Sequence, residues 1–269
     1  MSRVYTQIKY LIYFLIAFTI CLLMIIIYLS FQLPDDSNLK SYKPDVMTRI
    51  YDSNGQLVKE FSKEYRIFIP IENIPDGLKN AFISAEDKNF YRHYGVDPVG
   101  IMRALSKNIV NLFNEKRPEG ASTITQQVAK NFLLTNEVSL KRKIKEAILA
   151  FRIERAYSKE RILELYLNQI YLGQGTYGIA AASLEYFNKS IKELNYPDSA
   201  LLAALPKAPS KYNPYRYPDI GKFRRNLVLQ NLKENNFITK KEYNKYKNSE
   251  LNLKRRKIEI LNEANSYTE

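Results

Sequence analysis

Between Tyr10 and Pro34 the chain carries no Asp, Glu, Lys or Arg, and Leu11 to Leu33 is almost wholly aliphatic or aromatic. About 20 apolar residues cross the hydrocarbon core of a bilayer as a helix, so this run dictates a membrane-spanning first element. Arg3 and Lys9 precede it and Asp35 and Asp36 follow it; the positive-inside bias therefore puts the N-terminus in the cytoplasm. A cleavable signal peptide is the alternative. The apolar run is too long for an ordinary signal core and no small-x-small site follows, which favours a retained anchor. Cys21 lies inside the span as a small apolar residue. Everything after Pro34 is then expected on the outer face of the membrane.

With 269 residues, 45% hydrophobic and 26% charged, the chain has the composition of a folded protein of one to two domains. A single Cys excludes an internal disulfide framework and a Cys-rich zinc site, and a single His excludes a multi-histidine metal centre. Chemistry must rest on carboxylates, hydroxyls, amides and cations. The formal net charge of +13 seeks a polyanion: nucleic acid, an anionic bilayer or a phosphate-bearing substrate. An external location makes nucleic acid a poor partner.

The hydrophobic pattern gives a mainly α protein. Segments Thr48-Arg-Ile-Tyr-Asp and Gln56-Leu-Val-Lys-Glu-Phe flank Asn54-Gly55, a hairpin turn signal. Helical signals dominate from Pro75 onward. Leu78, Phe82, Ala85 and Asn89 line one stripe; Leu140, Ile144, Ile148 and Phe151 a second; Ile162, Leu165, Gln169 and Leu172 a third. Asp97-Pro98 reads as an N-cap followed by proline, and Thr239-Lys-Lys-Glu242 as a capping box. The chain divides into a cytoplasmic N-terminus (1–9), an anchor (10–33), a linker with the hairpin (34–70), a helical domain (71–247) and a basic tail (248–269).

Several motifs fail on context. Gly173-x-Gly175-x-x-Gly178 follows a helical pattern where a dinucleotide site needs a strand, so a turn between helices is the better reading. Ser37-x-x-Lys40 sits just outside the membrane with no Lys-Thr-Gly after it. His93 has no Gly-x-Ser-x-Gly elbow to serve.

Three features carry more. Glu86 stands near the end of an amphipathic helix beside aromatics, where partial desolvation raises a carboxyl toward a base's working range; a surface Glu neighbouring Lys88 is the bland reading. Glu146 lies four residues after Arg142, on a helical face that Leu149 and Ile153 continue. A plain ion pair of about 0.3–0.5 kcal/mol would explain that spacing. In Gly120-Ala-Ser122-Thr123-Ile-Thr-Gln-Gln127, hydroxyls follow a glycine at a helix start, with Lys130 two turns on from Thr123. Such a start suits an anion, although an ordinary N-capped helix has the same pattern.

Together the segments are far more specific. In order come Glu86-Asp87-x-x-Phe90-x-x-His93-x-Gly95, then Gly120-x-Ser-Thr-Ile-Thr-Gln-Gln127-x-x-Lys130-Asn131, then Arg142-Lys143-x-x-Glu146. Ile162 to Gly178 and Ala203-Ala-Leu-Pro-Lys-Ala-Pro-Ser210-x-Tyr-Asn-Pro214 follow. This series resembles the five motifs of the family 51 peptidoglycan glycosyltransferases, over roughly residues 70–247. The resemblance implies a lysozyme-like, mainly helical domain with a small membrane-facing lobe. It implies polymerisation of lipid II into glycan strands on the outer face of the bacterial cytoplasmic membrane, as part of cell-wall synthesis. Glu86 would deprotonate the acceptor sugar, with inversion at the lipid-linked growing chain and departure of undecaprenyl pyrophosphate.

By the same resemblance Glu146 is the second essential glutamate, with Mg²⁺ as a possible partner. Lys130, Thr123, Gln127, Ser122, Arg142, Asn131 and Tyr171 are expected to bind substrate or shape the cleft, and Asp87, Phe90, His93 and Gly95 to brace the first-motif loop. No nucleotide is implied. Many relatives carry an arginine where Val138 stands here, with Lys141 or Arg142 as substitutes. The segments Ile101-Met-Arg-Ala-Leu and Ile109-Val-Asn-Leu-Phe113 correspond to a membrane-embedded stretch, with a core helix as the alternative. Ala264 to Glu269 resembles the start of the linker to a transpeptidase domain in bifunctional class A penicillin-binding proteins. Two rival functions remain: a lysozyme-like glycan hydrolase, which has no use for Lys130, and an inactive anchored module binding cell-wall polymer.

Overall fold

The computed structural model describes residues 2–33, 48–51, 53, 57–61, 65–114, 120–133 and 139–255. The Asn54-Gly55 turn, Val138 and Ala264 to Glu269 lie outside them. Helix α1 (Ser2–Phe31) contains the one candidate span among the described residues, Tyr5–Phe31, with mean hydropathy 2.8. Strands β1 (Thr48–Tyr51) and β2 (Leu57–Phe61) pair antiparallel, Thr48 opposite Phe61, with a register shift between Ile50 and Tyr51.

The rest is helical. Helix α2 (Asp76–Glu86) starts after Pro75 and buries Leu78 and Phe82, one turn apart on the expected stripe. It stops at Glu86 because Asp87 turns to φ −156°, so Glu86 is its last residue. Helix α3 (Pro98–Phe113) has Asp97 as N-cap and Pro98 in its first turn. Ser139 caps α5 (Leu140–Ala156), its Oγ accepting from the Arg142 amide, and Ser158 caps α6 (Lys159–Gln169) in the same way. Helices α4 (Ile124–Leu133), α7 (Ile179–Phe187), α8 (Tyr196–Ala204), α9 (Pro218–Glu234) and α10 (Lys240–Lys247) complete the domain. The Thr239–Glu242 capping box forms at the start of α10.

One hydrophobic core runs through the domain. Helix α8 packs against α2 and α9, and α4 packs against α5 and α6. Phe82 and Tyr166 meet edge-to-face inside it, with ring centroids 6.2 Å apart. The α6 stripe ends sooner than the periodicity predicts: the helix closes at Gln169, and Leu172 falls in a short strand, β4 (Tyr171–Gly173). Its neighbour β5 (Thr176–Tyr177) is central in a small sheet, antiparallel to β4 and parallel to β3 (Tyr65–Arg66). The glycine series is therefore a turn holding a minimal hairpin. Gly178 takes φ +79°, and a Cβ there would lie 2.7 Å from the Asn168 carbonyl oxygen.

Two stripes face outward. On α5 the buried residues are Glu146, Leu149, Ala150 and Ile153, while Leu140 and Phe151 of the expected core stripe are exposed. On α3 only Gly100 and Ala104 are buried. Val99, Met102, Leu105, Ile109, Val110, Leu112 and Phe113 are all exposed, Phe113 at 83%. The core-helix alternative for α3 does not hold. Both helices are amphipathic, and the exposed apolar side chains named above are not covered by other described residues.

Beyond α10 the chain keeps packing. Leu251 and Leu253 lie against the core, the Lys254 amide donates to the Tyr186 carbonyl at 3.0 Å, and the Arg255 guanidinium sits 4.7 Å over the Tyr215 ring. The basic segment through Arg255 is thus part of the folded domain.

Candidate active site

The C-terminus of α2, one face of α4, the N-terminal half of α5 and the turn after α8 converge on one cleft of about 340 Å³. Glu86 enters from α2. Ser122, Gln126, Gln127 and Lys130 enter from α4 and the segment before it, and Arg142, Lys143 and Glu146 from α5. Pro206 and Lys207 close the far side.

Glu86 is half-buried at the helix end, and Gln127 Nε2 donates to its Oε2 at 2.9 Å. Burial pushes its pKa above the ordinary carboxylate value. The Gln127 hydrogen bond and the nearby charges of Lys207 and Arg224 oppose that rise without cancelling it. The result is a carboxyl that is more basic than usual and held by Gln127 through one oxygen, Oε2.

Glu146 is only 2% exposed. Lys143 Nζ donates to its Oε2 at 2.6 Å and to Ser122 Oγ at 2.7 Å, which ties α5 to the segment before α4. Arg142 Nε is 3.4 Å from Oε1 but makes no hydrogen bond to it. Neither Lys130 nor Lys207 carries a hydrogen bond or ion pair to another described residue. The lining therefore sets Lys130, Arg142, Lys143 and Lys207 against Glu86 and Glu146, an excess of positive charge with two ammonium groups uncommitted. Such a surface stabilises a developing anion beside a group able to take a proton.

The loop after Glu86 is braced from behind. Asp87 accepts from the Ile124 amide at 3.0 Å and pairs with His93 Nε2 at 2.9 Å, so one buried carboxylate joins the loop to the start of α4. Phe90 is fully buried, with the Lys159 ammonium 4.5 Å over its ring. Gly95 adopts φ +89° where the loop meets α5; a Cβ there would stand 2.7 Å from the Ala150 carbonyl carbon and oxygen.

Three expected site residues do not line the cleft. Thr123 is buried, its hydroxyl donating to the Gly95 carbonyl at 2.6 Å and accepting from the Gln126 amide, while Gln126 Oε1 accepts from the Thr123 amide. This reciprocal cap satisfies the helix start internally, so the threonine hydroxyl is not available to a ligand. Asn131 is exposed, one position past Lys130 and outside the cleft. Tyr171 packs on Tyr177 in the small sheet, ring centroids 4.9 Å apart. Conversely, Lys143, Lys207 and Gln126 stand within the sequence motifs quoted above but are assigned no role there. The signal for Lys143 was present, since i, i+3 places it beside Glu146 as surely as i, i+4 places Arg142.

A family model described as transglycosylase matches residues 54–233, and the chain belongs to that family. It is 53% identical over 243 residues to penicillin-binding protein 1A of Rickettsia felis, a match covering 90% of this chain and 31% of that protein. Penicillin-binding protein 1A of Aquifex aeolicus is 47% identical over 240 residues, covering 89% of this chain and 33% of the relative. A crystal structure of penicillin-binding protein 1A from Haemophilus influenzae aligns with TM-score 0.46 and 25% identity, over 81% of this chain and 22% of that one. The chain thus spans about a third of the length of the curated relatives it matches.

Proposed function

We propose that this chain is a membrane-anchored peptidoglycan glycosyltransferase that polymerises lipid II. The observation that carries the reading is the cleft itself, where a basic carboxyl, Glu86, shares one small space with uncommitted ammonium groups. Glu86 accepts the proton of the acceptor sugar's 4-hydroxyl as that oxygen attacks the anomeric carbon of the lipid-linked chain. The bond from that carbon to the phosphate oxygen breaks, and the pyrophosphate leaves with its electron pair. Lys130 and Lys207 are placed to meet the charge that develops, and a pyrophosphate needs donors and cations more than a strong acid. The proton on Glu86 then passes to water.

Glu146 holds Lys143 and Arg142 in the cleft by neutralising part of their charge. The described residues contain no group of three or more His, Cys, Asp or Glu able to enclose a metal ion, and Lys143 occupies one Glu146 oxygen. A divalent ion accompanying the pyrophosphate would offset phosphate charge, with Glu146 as its candidate protein ligand.

The apolar faces support placement on a bilayer. α3 turns its large hydrophobic side chains outward, and a slot of about 460 Å³ between Tyr94, Val99 and Phe151 continues that surface toward α5. With α1 as anchor and its N-terminus cytoplasmic, the cleft works on the outer side of the membrane. Likeness to penicillin-binding proteins, of which the chain spans about a third, supports a partnership with a penicillin-binding domain.

The test is detergent-solubilised protein with fluorescent lipid II and Mg²⁺, products resolved on a gel, with Glu86→Gln alongside. Muramidase-sensitive polymer from wild type alone is the expected result. Polymer from the variant at the wild-type rate would remove Glu86 as the base; lipid II binding without polymer would favour the inactive anchored module.

A further inference from the structure

The anchor helix is bolted to the helix that carries Glu146. Arg152 Nη2 donates to the Ser30 carbonyl at 3.0 Å and to Ser30 Oγ at 2.6 Å. Ser30 lies in the last turn of α1, where carbonyls lack intrahelical partners and a cation is favoured by the helix dipole. Leu29 beside it is only 5% exposed, in a helix whose other described side chains before Ser30 are exposed, and Leu33 packs on the domain core. The membrane helix and the domain therefore meet at a joint of two apolar contacts and one doubly bonded arginine. On α5, Arg152 lies six residues past Glu146, about 9 Å along the axis, and α5 packs directly on α4 with its Gln127 and Lys130. A tilt of α5 against α1 moves the cleft lining with it.

Resting on the reading of a bilayer-borne substrate, we infer that Arg152 is a positioning residue that sets the height and orientation of the cleft over the membrane. It selects for a pyrophosphate presented at the bilayer surface by a long embedded lipid, without touching the reacting groups.

The experiment uses the full chain in lipid nanodiscs. Cys21, the single cysteine, lies in α1, and Lys192→Cys adds an exposed labelling position on the domain. Pulsed dipolar spectroscopy between spin labels at these two positions is expected to give one narrow distance distribution, which broadens with Arg152→Ala and narrows partly with Arg152→Lys. In parallel, Arg152→Ala is expected to lower kcat/KM at least five-fold for bilayer-embedded long-chain lipid II. For a short-chain, water-soluble lipid II analogue it should stay within two-fold. An unchanged distance distribution overturns the joint. Equal losses on both substrates overturn the positioning role, since the defect then lies in the cleft or the fold. Absence of polymer from wild type with either substrate would sink the glycosyltransferase reading instead, and the distances would still decide the joint.

Discussion

Replacing Lys143 by methionine asks how much the buried Glu146 carboxylate depends on one ammonium. The substitution removes the 2.6 Å contact to Glu146 Oε2 and the 2.7 Å contact to Ser122 Oγ while keeping an unbranched chain of similar reach. Removing one partner of a fully buried pair costs about 3–5 kcal/mol, because the remaining charge is uncompensated. Here the glutamate side chain is 3% exposed but the lysine is 43% exposed, so water reaches the vacated side. Arg142 also stays within 3.4 Å. Both facts pull the expected loss to about 2–3 kcal/mol, toward the lower limit for a buried pair. For a domain of this size that is a fall of roughly 4–12 °C in Tm. The assay is thermal unfolding in detergent of wild type, Lys143→Met, Glu146→Gln and the double variant. A coupling energy of about 2 kcal/mol is expected, because the double variant leaves neither member of the Lys143–Glu146 pair charged without the other. A Lys143→Met loss below about 0.5 kcal/mol, the level of an exposed helix pair, would refute the reasoning: Glu146 would then be solvated or held by Arg142 alone.

Glu86→Gln should lower turnover by about 10²–10⁴-fold, the usual contribution of a positioned base, read as initial polymerisation rate at fixed lipid II. It should also leave stability at neutral pH unchanged or improved. A carboxyl whose folded pKa is raised contributes stability below its unfolded pKa and loses that contribution as pH rises through the folded value. The rate profile has the opposite sense, with kcat/KM falling as pH drops through the raised pKa of Glu86. Gln127→Leu should move that acid limb to higher pH, because the Gln127 hydrogen bond favours the ionised form; a limb that stayed in place would mean another group controls it. Thr123→Val should cost about 1–2 kcal/mol as a lost cap with KM for lipid II near wild type; a large KM change at unaltered Tm would return Thr123 to the substrate. Gly95→Ala should destabilise by roughly 2–4 kcal/mol, from strained φ and the 2.7 Å clash with α5, seen in the same melts.

Much of this was legible along the chain because it depends on short-range regularities. The charge-free run before Pro34, the caps at Asp97 and Thr239, and the Leu78–Phe82 stripe all express local regularities of the chain. Spacing alone left Glu86 and Glu146 with bland readings; the resemblance of the ordered motifs to a known family singled them out, and it implied the bracing role of Asp87 and His93. The α5 stripe shows where periodicity stops. Leu140, Ile144, Ile148 and Phe151 and the set Leu149, Ala150 and Ile153 are both apolar, and the pattern alone does not say which one meets protein.

The sequence by itself therefore determined the long apolar first helix and the helical class, through local periodicity and capping, while resemblance to known motifs picked out the candidate residues of the cleft. The tertiary structure decided the rest. It sent Thr123 inward to Gly95, 28 residues earlier in the chain, and left Gln127 to hold Glu86. It brought Lys207 across from the turn after α8, and placed Arg152 on Ser30, 122 residues away. Those outcomes depend on the direction in which one helix presents its side chains to another. That direction is fixed only when the core closes and every buried donor has to find its acceptor.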